Sequence, residues 1–318
     1  MPRPVRSSGS DRTPHPPASG KSRRERLRPT AGTGHSGAAS GVPGALRDLG
    51  VRPSRRLGQN FLQDPRVADR IAALAGDQLT EILEIGPGLG ALTERLAALG
   101  RRVAVVELDL RLADALERNY GAAGNRAVVR VVRGDILNQR LEDLLPGSGP
   151  VTVVANLPYS ITTPAIEWVL AQGPRVRQAI LMVQREVAER MTAKPGGKEF
   201  GSLAVFLSLH ADVEPLFRVS PGAFHPRPDV DSTVVRMTPR PFPGTTEPER
   251  REAERLARAA TTSRRKTIAN ALARGLAMEP AAARRLLDEA GIDDSRRGET
   301  LAVEEWLALA KACLRMGP

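Results

Sequence analysis

Four short apolar runs alternate with helical patterns in the first half of the chain, and this alternation limits the fold more than any other feature. The runs read as strands at residues 81–85, 102–107, 128–132 and 151–155. Strands that alternate with helices at this spacing are typical of a parallel, doubly wound α/β sheet. The carboxyl ends of these strands should therefore meet at one edge, where such sheets bind ligands.

A glycine-rich loop, residues 86–90, follows the first predicted strand. Glycines at positions such as Gly86 and Gly88 let backbone N–H groups approach a ligand closely. The loop lacks the complete G-x-G-x-x-G fingerprint of dinucleotide-binding enzymes, and it lacks the lysine of a P-loop. A tight turn that requires positive φ explains the loop equally well, so the loop alone does not identify a ligand.

Acidic side chains end the next two strands. Glu107 lies 17 positions beyond Gly90, where a carboxylate can accept hydrogen bonds from both ribose hydroxyls. Asp135 follows the third strand and can accept a hydrogen bond from an adenine amine. Each acid alone is more often a solvated strand end or a helix cap. Together with the glycine loop, the two acids predict a site for an adenosine-containing ligand.

The fourth strand runs into Asn156-Leu157-Pro158-Tyr159, which places a carboxamide, a stiff turn and a flat ring at the same edge. Pro158 fixes φ and removes a backbone donor, so the neighbouring carbonyl groups can face a ligand. Two acceptors beside a stacking ring suit the exocyclic amine of a planar base. The alternative is a polar strand-to-helix turn in which Asn156 helps to cap the next helix.

Composition excludes several kinds of site. A single cysteine, Cys313, and four histidines without metal-ligand spacing argue against disulfides, a cysteine nucleophile and a metal site. No apolar run approaches the roughly 20 residues of a membrane span, and the N-terminus has no apolar signal-peptide core. We expect a soluble, cytoplasmic protein without a membrane partner.

The net charge of +11 is concentrated near the N-terminus. Residues 1–56 contain twelve Lys and Arg against three Asp and Glu, which accounts for +9 of the total. A segment rich in Pro, Gly, Ser and Arg cannot bury enough apolar surface to fold, so residues 1–48 are predicted to be a disordered tail. Its role is open between a solubilising extension, a nonspecific arm for nucleic acid and, with weaker support, an organelle presequence.

The second half of the chain changes its pattern at a proline-rich segment, residues 239–244. Before this segment, apolar runs continue the α/β pattern; after it, only helical patterns follow. The sequence therefore predicts an α/β domain over residues 49–240 and a small helical domain over residues 245–318.

These motifs resemble those of the KsgA/RsmA family, the S-adenosylmethionine-dependent ribosomal RNA adenine dimethyltransferases. The resemblance covers about residues 55–316 in the family's order. Its motifs are Leu-Gly-Gln-Asn-Phe-Leu at 57–62, Glu-Ile-Gly-Pro-Gly-Leu-Gly at 84–90, Val-Glu-Leu-Asp at 106–109, Gly-Asp at 134–135, Asn-Leu-Pro-Tyr-Ser-Ile at 156–161, and the stretches 224–232 and 264–272.

The resemblance implies a Rossmann-like methyltransferase with a seven-stranded sheet whose last strand is antiparallel, followed by a small all-helical C-terminal domain. It also implies contacts to S-adenosylmethionine. Glu107 would accept from the ribose and Asp135 from the adenine. The residues implied at the methionine end and near the methyl group are Asn60, Leu62, Gly86, Gly88 and Asn156.

The implied reaction is N6,N6-dimethylation of two adjacent adenines in a hairpin near the 3′ end of 16S rRNA, during small ribosomal subunit biogenesis. Adenine N6 is a poor nucleophile, so the site must supply orientation more than a strong base. Our hypothesis is that the Asn156 carboxamide oxygen and the Leu157 carbonyl accept the N6 hydrogens. Tyr159 would stack on the adenine, and Phe224 would cover its other face, unless it is simply packed.

A basic stretch, Arg264-Arg265-Lys266, is the expected contact to the RNA backbone, within a region of eight Lys and Arg against two Asp and Glu (residues 250–274). An ordinary solvated helix face is the alternative. The expected partner is 16S rRNA within the small subunit or its assembly intermediate, bound by a monomer. Three other functions stay open: a 23S rRNA adenine methyltransferase of antibiotic resistance, a noncatalytic assembly or transcription factor, and a nicotinamide-dependent oxidoreductase.

Overall fold

The computed structural model describes residues 41–54, 58–76, 79–121, 129–261, 263 and 265–316. The backbone of Tyr159 is described, but its side chain is not. The predictions for residues 1–40, for the Tyr159 ring and for Arg264 therefore fall outside the described part of the chain.

The described residues form nine strands and twelve helices. Strands and helices alternate up to residue 191, a further helix and three consecutive strands follow up to residue 239, and only helices lie beyond it. The strands are β1 (Phe61–Leu62), β2 (Glu81–Ile85), β3 (Val103–Glu107), β4 (Val129–Arg133), β5 (Val151–Asn156), β6 (Val176–Gln184), β7 (Ala211–Val219), β8 (Phe224–His225) and β9 (Ser232–Pro239). The helices are α1 (Gly41–Asp48), α2 (Pro65–Gly76), α3 (Ala91–Ala97), α4 (Leu110–Tyr120), α5 (Leu141–Leu144), α6 (Thr162–Ala171), α7 (Arg185–Met191), α8 (Ser202–His210), α9 (Glu247–Thr261), α10 (Ile268–Gly275), α11 (Pro280–Glu289) and α12 (Val303–Met316).

Seven of these strands form one sheet in the order β4-β3-β2-β5-β6-β9-β7. Each neighbouring pair from β4 to β6 is parallel. Strand β9 is the last in the chain, and it runs antiparallel between β6 and β7. The predicted topology, with a single antiparallel last strand, is confirmed. Strands β1 and β8 pair with each other in a separate antiparallel ribbon, called the β1–β8 ribbon below.

Helices cover both faces of the sheet, so successive strand residues are buried in different layers. On β2, Ile82 packs with side chains of α2 and α3, and Leu83 packs with side chains of α5 and α6. Strand β3 is buried along its whole length. Parallel strands between two helical layers have no solvent-facing side, which explains their nearly continuous apolar sequences. The predicted doubly wound α/β architecture is confirmed.

Helices α9 to α12 form a helical cluster around Trp306, whose side chain is fully buried. Phe200, just before α8, and Leu209, within α8, belong to the same cluster. Helix α8 also places Leu203 and Leu207 in the core beneath the sheet. The all-helical pattern of the C-terminal part is confirmed, and the domain boundary at residues 240–245 stays a prediction.

Helix α1 corrects the prediction that residues 1–48 are disordered, because Gly41–Asp48 is helical. Leu46 is 3% exposed and shares a small hydrophobic cluster with Val51, Phe61 and Leu112. The local sequence, with two glycines and a proline among eight residues, gives no helical signal. Contacts with residues distant in the sequence stabilise this helix instead.

Among the described residues, no helix is long and apolar enough to cross a membrane. Nor do the described His, Cys, Asp and Glu side chains form a group that could hold a metal ion.

A carboxyl group, Glu84, lies inside the core of the sheet. It is 1% exposed on β2, and Thr93 Oγ1 on α3 donates a hydrogen bond to its Oε2 at 2.6 Å. Burial is the main cause that raises the pKa of Glu84 from 4.5 to about 8; the nearby Glu107 carboxylate adds to the rise, and the Thr93 hydrogen bond opposes it. The folded protein therefore holds a proton here that the unfolded chain releases near pH 4.5.

We expect this proton to make folding pH-dependent. The contribution of Glu84 to stability is complete below pH 4.5 and is lost as the pH rises through its folded-state pKa of about 8. Glu84→Gln keeps a neutral hydrogen-bonding group and removes the titration. The free energy of unfolding of the variant, relative to wild type, should therefore increase across this window.

Urea unfolding at several pH values between 4.5 and 8 measures the difference. Glu94→Gln is the control, because it removes a carboxylate that is 72% exposed on the neighbouring α3. If Glu84→Gln and wild type differed by the same unfolding free energy at every pH, the assignment of a raised pKa would be wrong.

Candidate active site

One cleft opens at the carboxyl edge of the parallel strands. The glycine loop follows β2, Glu107 ends β3, Asp135 follows β4 and Asn156 ends β5, so four strand ends contribute to it. The cleft lining includes every residue predicted to contact a cofactor: Asn60, Leu62, Gly86, Gly88, Glu107, Asp135 and Asn156. Leu157 and Phe224 line it as well.

Gly88 is a position in this loop where a side chain would be strained. Its φ is +59°, in the left-handed region, and a Cβ placed on it would lie 3.0 Å from the Phe61 ring. Its backbone N–H donates a hydrogen bond to Glu107 Oε2 at 3.0 Å. The absent side chain thus lets the loop lie between an aromatic ring and a carboxylate.

Glu107 is 6% exposed, and both of its carboxylate oxygens already accept backbone hydrogen bonds. Gly88 N–H donates to Oε2, and Asp109 N–H donates to Oε1 at 2.9 Å. Burial raises the pKa of Glu107, whereas the two backbone N–H groups lower it. A carboxylate has about four acceptor positions, so each oxygen can accept one more hydrogen bond from a ligand.

Asp135 has a capping role besides any ligand contact. Its Oδ1 accepts a hydrogen bond from Leu137 N–H at 3.0 Å, at the start of a single 3₁₀ turn over residues 136–138. This bond fixes the direction of the carboxylate at the end of β4. Asp135 can therefore cap this turn and still accept a hydrogen bond from a ligand.

Asn156 does not cap a helix, because it is the last residue of β5 and α6 begins at Thr162. Its Nδ2 donates a hydrogen bond to the backbone oxygen of Asn60 at 3.0 Å. A carbonyl oxygen can only accept, so the amide group of Asn156 must face it with its NH2. The carboxamide oxygen therefore remains as the acceptor that this side chain offers to the cleft.

The turn after Asn156 is held against the neighbouring strand. Leu157 is 3% exposed, and its N–H donates to the Met182 backbone oxygen at the end of β6, at 3.1 Å. The backbone of Tyr159 begins a 3₁₀ turn over residues 159–161, just before α6. This arrangement keeps Leu157 and Pro158 at the rim of the cleft.

The β1–β8 ribbon brings two distant segments to the cleft, with Leu62 opposite Phe224. Gln63 ties the segments further, because its Nε2 donates to the Gly222 oxygen at 3.1 Å and its N–H donates to the Ala223 oxygen at 2.8 Å. Phe224 is 3% exposed and packs with core side chains of the sheet. It forms a wall of the cleft rather than a free-standing platform.

Sequence reasoning missed part of the cleft. Met182 and Val183 near the end of β6 line it, and so does Ser232 at the start of β9, which pairs with Gln184. The run of residues 179–183 was recognisable as apolar. Because ligands bind at the carboxyl ends of parallel strands, the end of this run could have been predicted to line the cleft as well. Ser232 gave no such signal, because an antiparallel strand presents its beginning at this edge.

The predicted RNA-contacting residues lie elsewhere. Arg265 and Lys266 are exposed in the segment between α9 and α10, and they do not line the cleft. The exposed Arg265 and Lys266 are therefore not part of the cleft at the strand ends.

Comparison with known proteins identifies this architecture. Residues 51–311 match the family model described as ribosomal RNA adenine dimethylase. The chain is 42% identical over 276 residues to ribosomal RNA small subunit methyltransferase A of Geobacter sulfurreducens, covering 86% of this chain and 99% of that protein. It is 40% identical over 267 residues to the protein of the same name from Desulfitobacterium hafniense, covering 84% and 94%.

Solved structures agree with the sequence relatives. The crystal structure of 23S rRNA methyltransferase ErmE has a TM-score of 0.58 and 29% identity, covering 80% of this chain and 99% of that one. A dimethyladenosine transferase from Plasmodium falciparum has a TM-score of 0.65 at 24% identity, covering 78% and 95%, which supports the fold. The family model spans most of the chain, and the curated relatives align over nearly their whole length. This chain therefore belongs to the ribosomal RNA adenine dimethylase family.

Proposed function

We propose that this chain transfers methyl groups from S-adenosylmethionine to N6 of two adjacent adenines in a hairpin near the 3′ end of 16S rRNA. The products are N6,N6-dimethyladenosines, formed during small ribosomal subunit biogenesis. The observation that carries the proposal is the fixed amide of Asn156, whose NH2 is bound by the Asn60 oxygen in a cleft suited to an adenosine ligand.

Residues at three strand ends would hold the cofactor in the cleft. Glu107 has one acceptor position left on each oxygen for the two ribose hydroxyls. Asp135, whose direction the Leu137 N–H fixes, would accept from the adenine amine. The methionine end would lie along Gly86 and Gly88, which offer backbone without side-chain bulk, and against Asn60 and Leu62.

The chemistry needs orientation rather than a strong base. When bound, S-adenosylmethionine supplies an electrophilic methyl group. The Asn156 carboxamide oxygen and the Leu157 carbonyl accept the N6 hydrogens of the target adenine, which directs the nitrogen lone pair along the line of displacement. Transfer of this methyl group to N6 would leave S-adenosylhomocysteine in the cofactor site, and the N6 proton would leave to solvent.

The walls of the target-base site are the second part of the proposal. Tyr159 would stack on one face of the adenine, a contact worth about 1–3 kcal/mol. Phe224 would close the other side. Because the Phe224 ring is 3% exposed, it would contact the base with an edge unless the β1–β8 ribbon moves.

The RNA substrate would also contact the helical part, which we place at residues 245–318, through Arg264, Arg265 and Lys266. Arg265 and Lys266 are exposed, as phosphate contacts require. The proposed substrate is 16S rRNA in the small subunit or in an assembly intermediate, bound by a monomer in the cytoplasm. Unstacked loop adenines suit a concave site, because they can enter it without opening a duplex.

The main rival is a 23S rRNA methyltransferase. The chain is 42% identical to a small-subunit enzyme and 29% identical to ErmE, and each of the two is covered over 99% of its length, so the sequence identity favours the small-subunit enzyme. A noncatalytic factor on the same fold is disfavoured, because Asn60, Glu107, Asp135 and Asn156 are all present in one cleft.

A methyl-transfer assay with labelled S-adenosylmethionine tests the proposed substrate. Undermethylated small subunits and, separately, large-subunit RNA are incubated with the protein, and modified adenosines are identified by mass spectrometry. We expect dimethyladenosine in the small subunit alone. Label only in large-subunit RNA would support the rival enzyme, and no label on either, with cofactor bound, would support a noncatalytic factor.

Replacement of Asn156 tests the catalytic assignment. Asn156→Ala removes the acceptor for the N6 hydrogen, and we expect the maximal rate to fall about 10²- to 10³-fold, as for loss of a preorganised polar group. Asn156→Asp keeps an acceptor oxygen but cannot donate to the Asn60 oxygen, which separates the two roles. Single-turnover rates are measured at saturating cofactor, and full turnover by Asn156→Ala would refute the assignment.

Charge reversal tests the basic segment. In Arg265→Glu/Lys266→Glu, binding of the small subunit should weaken, and the slope of log K against log salt should become shallower by about 1–2, because phosphate contacts are lost. Arg118→Glu, an exposed arginine at the end of α4, is the control. Equal salt slopes in wild type and the double variant would favour an ordinary solvated surface.

A further inference from the structure

We infer that helix α1 is a positioning element of the cofactor site, and that Leu46 acts on this site through Phe61 and Leu89. The inference rests on the proposed function, because it concerns the same cofactor. It adds a part of the chain that precedes the residues matched by the family model, which begin at residue 51.

The N-terminal cluster is a small, separate unit of packing. Its buried members are Leu46 of α1, Val51, Phe61 of β1 and Leu112 of α4, with exposed fractions between 1% and 6%. Leu89 of the glycine loop packs against it. The cores under the two faces of the sheet and the helical cluster are made of other side chains.

One side of this cluster is the wall of the cleft. Phe61, Leu89 and Leu112 line the cleft, whereas Leu46 and Val51 do not. The Phe61 ring lies against Gly88, where a Cβ would be 3.0 Å away, and Gly88 N–H donates to Glu107 Oε2. Leu46 therefore belongs to the same buried cluster as the aromatic ring that the glycine loop contacts, but it does not itself line the cleft.

A series of hydrogen bonds links Gly50, just after α1, to the other oxygen of Glu107. Arg111 Nη1 donates to the Gly50 backbone oxygen at 2.7 Å, and Arg111 N–H donates to Asp109 Oδ1. Asp109 N–H in turn donates to Glu107 Oε1. The segment from α1 to Val51 thus reaches Glu107 along two routes, one apolar and one polar.

Close packing makes the position of Phe61 depend on what lies behind it. Truncating Leu46 leaves a void beside the ring, so the ring and the glycine loop can relax toward it. The loss should appear as weaker cofactor binding. It should affect overall stability less, because this cluster is separate from the other hydrophobic cores and such a region can open locally without global unfolding.

The test compares three single variants in the full chain with wild type. Leu46→Ala removes the packing, Leu46→Met preserves most of the volume, and Arg47→Ala changes the exposed neighbour on the same helix. Isothermal titration calorimetry gives the Kd for S-adenosylmethionine. Initial rates give KM for the cofactor and kcat, and thermal unfolding gives Tm.

We expect Leu46→Ala to raise the cofactor Kd and KM about 3- to 30-fold, in the range of coupling by residues that do not touch a ligand. Its kcat at saturating cofactor should stay within about twofold of wild type, since Asn156 and Leu157 are untouched. Leu46→Met and Arg47→Ala should bind as wild type does. Should Leu46→Ala fail to fold, Leu46→Val gives a smaller truncation for the same titration.

A lower Tm with unchanged Kd and KM would make Leu46 merely structural and would overturn the inference. If the Kd, KM and Tm of Leu46→Ala were all equal to those of wild type, the inference would be overturned as well. Failure of the wild-type protein to bind S-adenosylmethionine is a separate result, which would overturn the proposed function and the inference with it.

Discussion

Parallel pairing of β2 with β3 and β5 is the constraint on which the site depends. Ile85 pairs with Val106 on one side and with Ala155 on the other, so the residues that follow these positions meet at one edge. A glycine loop, a buried carboxylate and an asparagine thereby come within one cleft. No single motif creates the site, because the motifs come together only where the parallel pairing of the strands aligns their ends.

Two buried carboxyl groups near this edge differ in their hydrogen-bond partners. Glu84 has a single hydroxyl donor and a pKa raised to about 8, and it stays largely protonated at neutral pH. Glu107 is also desolvated, which raises its pKa, but two backbone N–H groups favour its charged form. The net shift of the pKa is upward for both groups, and the group that opposes burial differs: a hydroxyl donor at Glu84 and backbone N–H donors at Glu107.

The regular elements and most of the strand-end residues that line the cleft could be predicted from local sequence. The bounds of β2 agree with the predicted run, and those of β3 and β5 differ from it by one residue at one end. Strand β4 ends one residue later than predicted, and its predicted first residue, 128, lies outside the described part of the chain. The periodicity of the apolar residues and the residue types at the strand ends are local features, so they can be recognised without the tertiary structure. Helix α1 was missed because a single leucine and distant partners stabilise it, and Ser232 was missed because an antiparallel strand begins where the others end.

The sequence by itself determined the strand–helix alternation, the set of strand-end residues and the family. Only the tertiary structure decided the direction of the Asn156 amide, since its partner Asn60 lies 96 residues away. The same holds for the β1–β8 ribbon and for the packing of Leu46 near Phe61. These features depend on contacts between segments far apart in the chain, which leave no periodic signal in either segment.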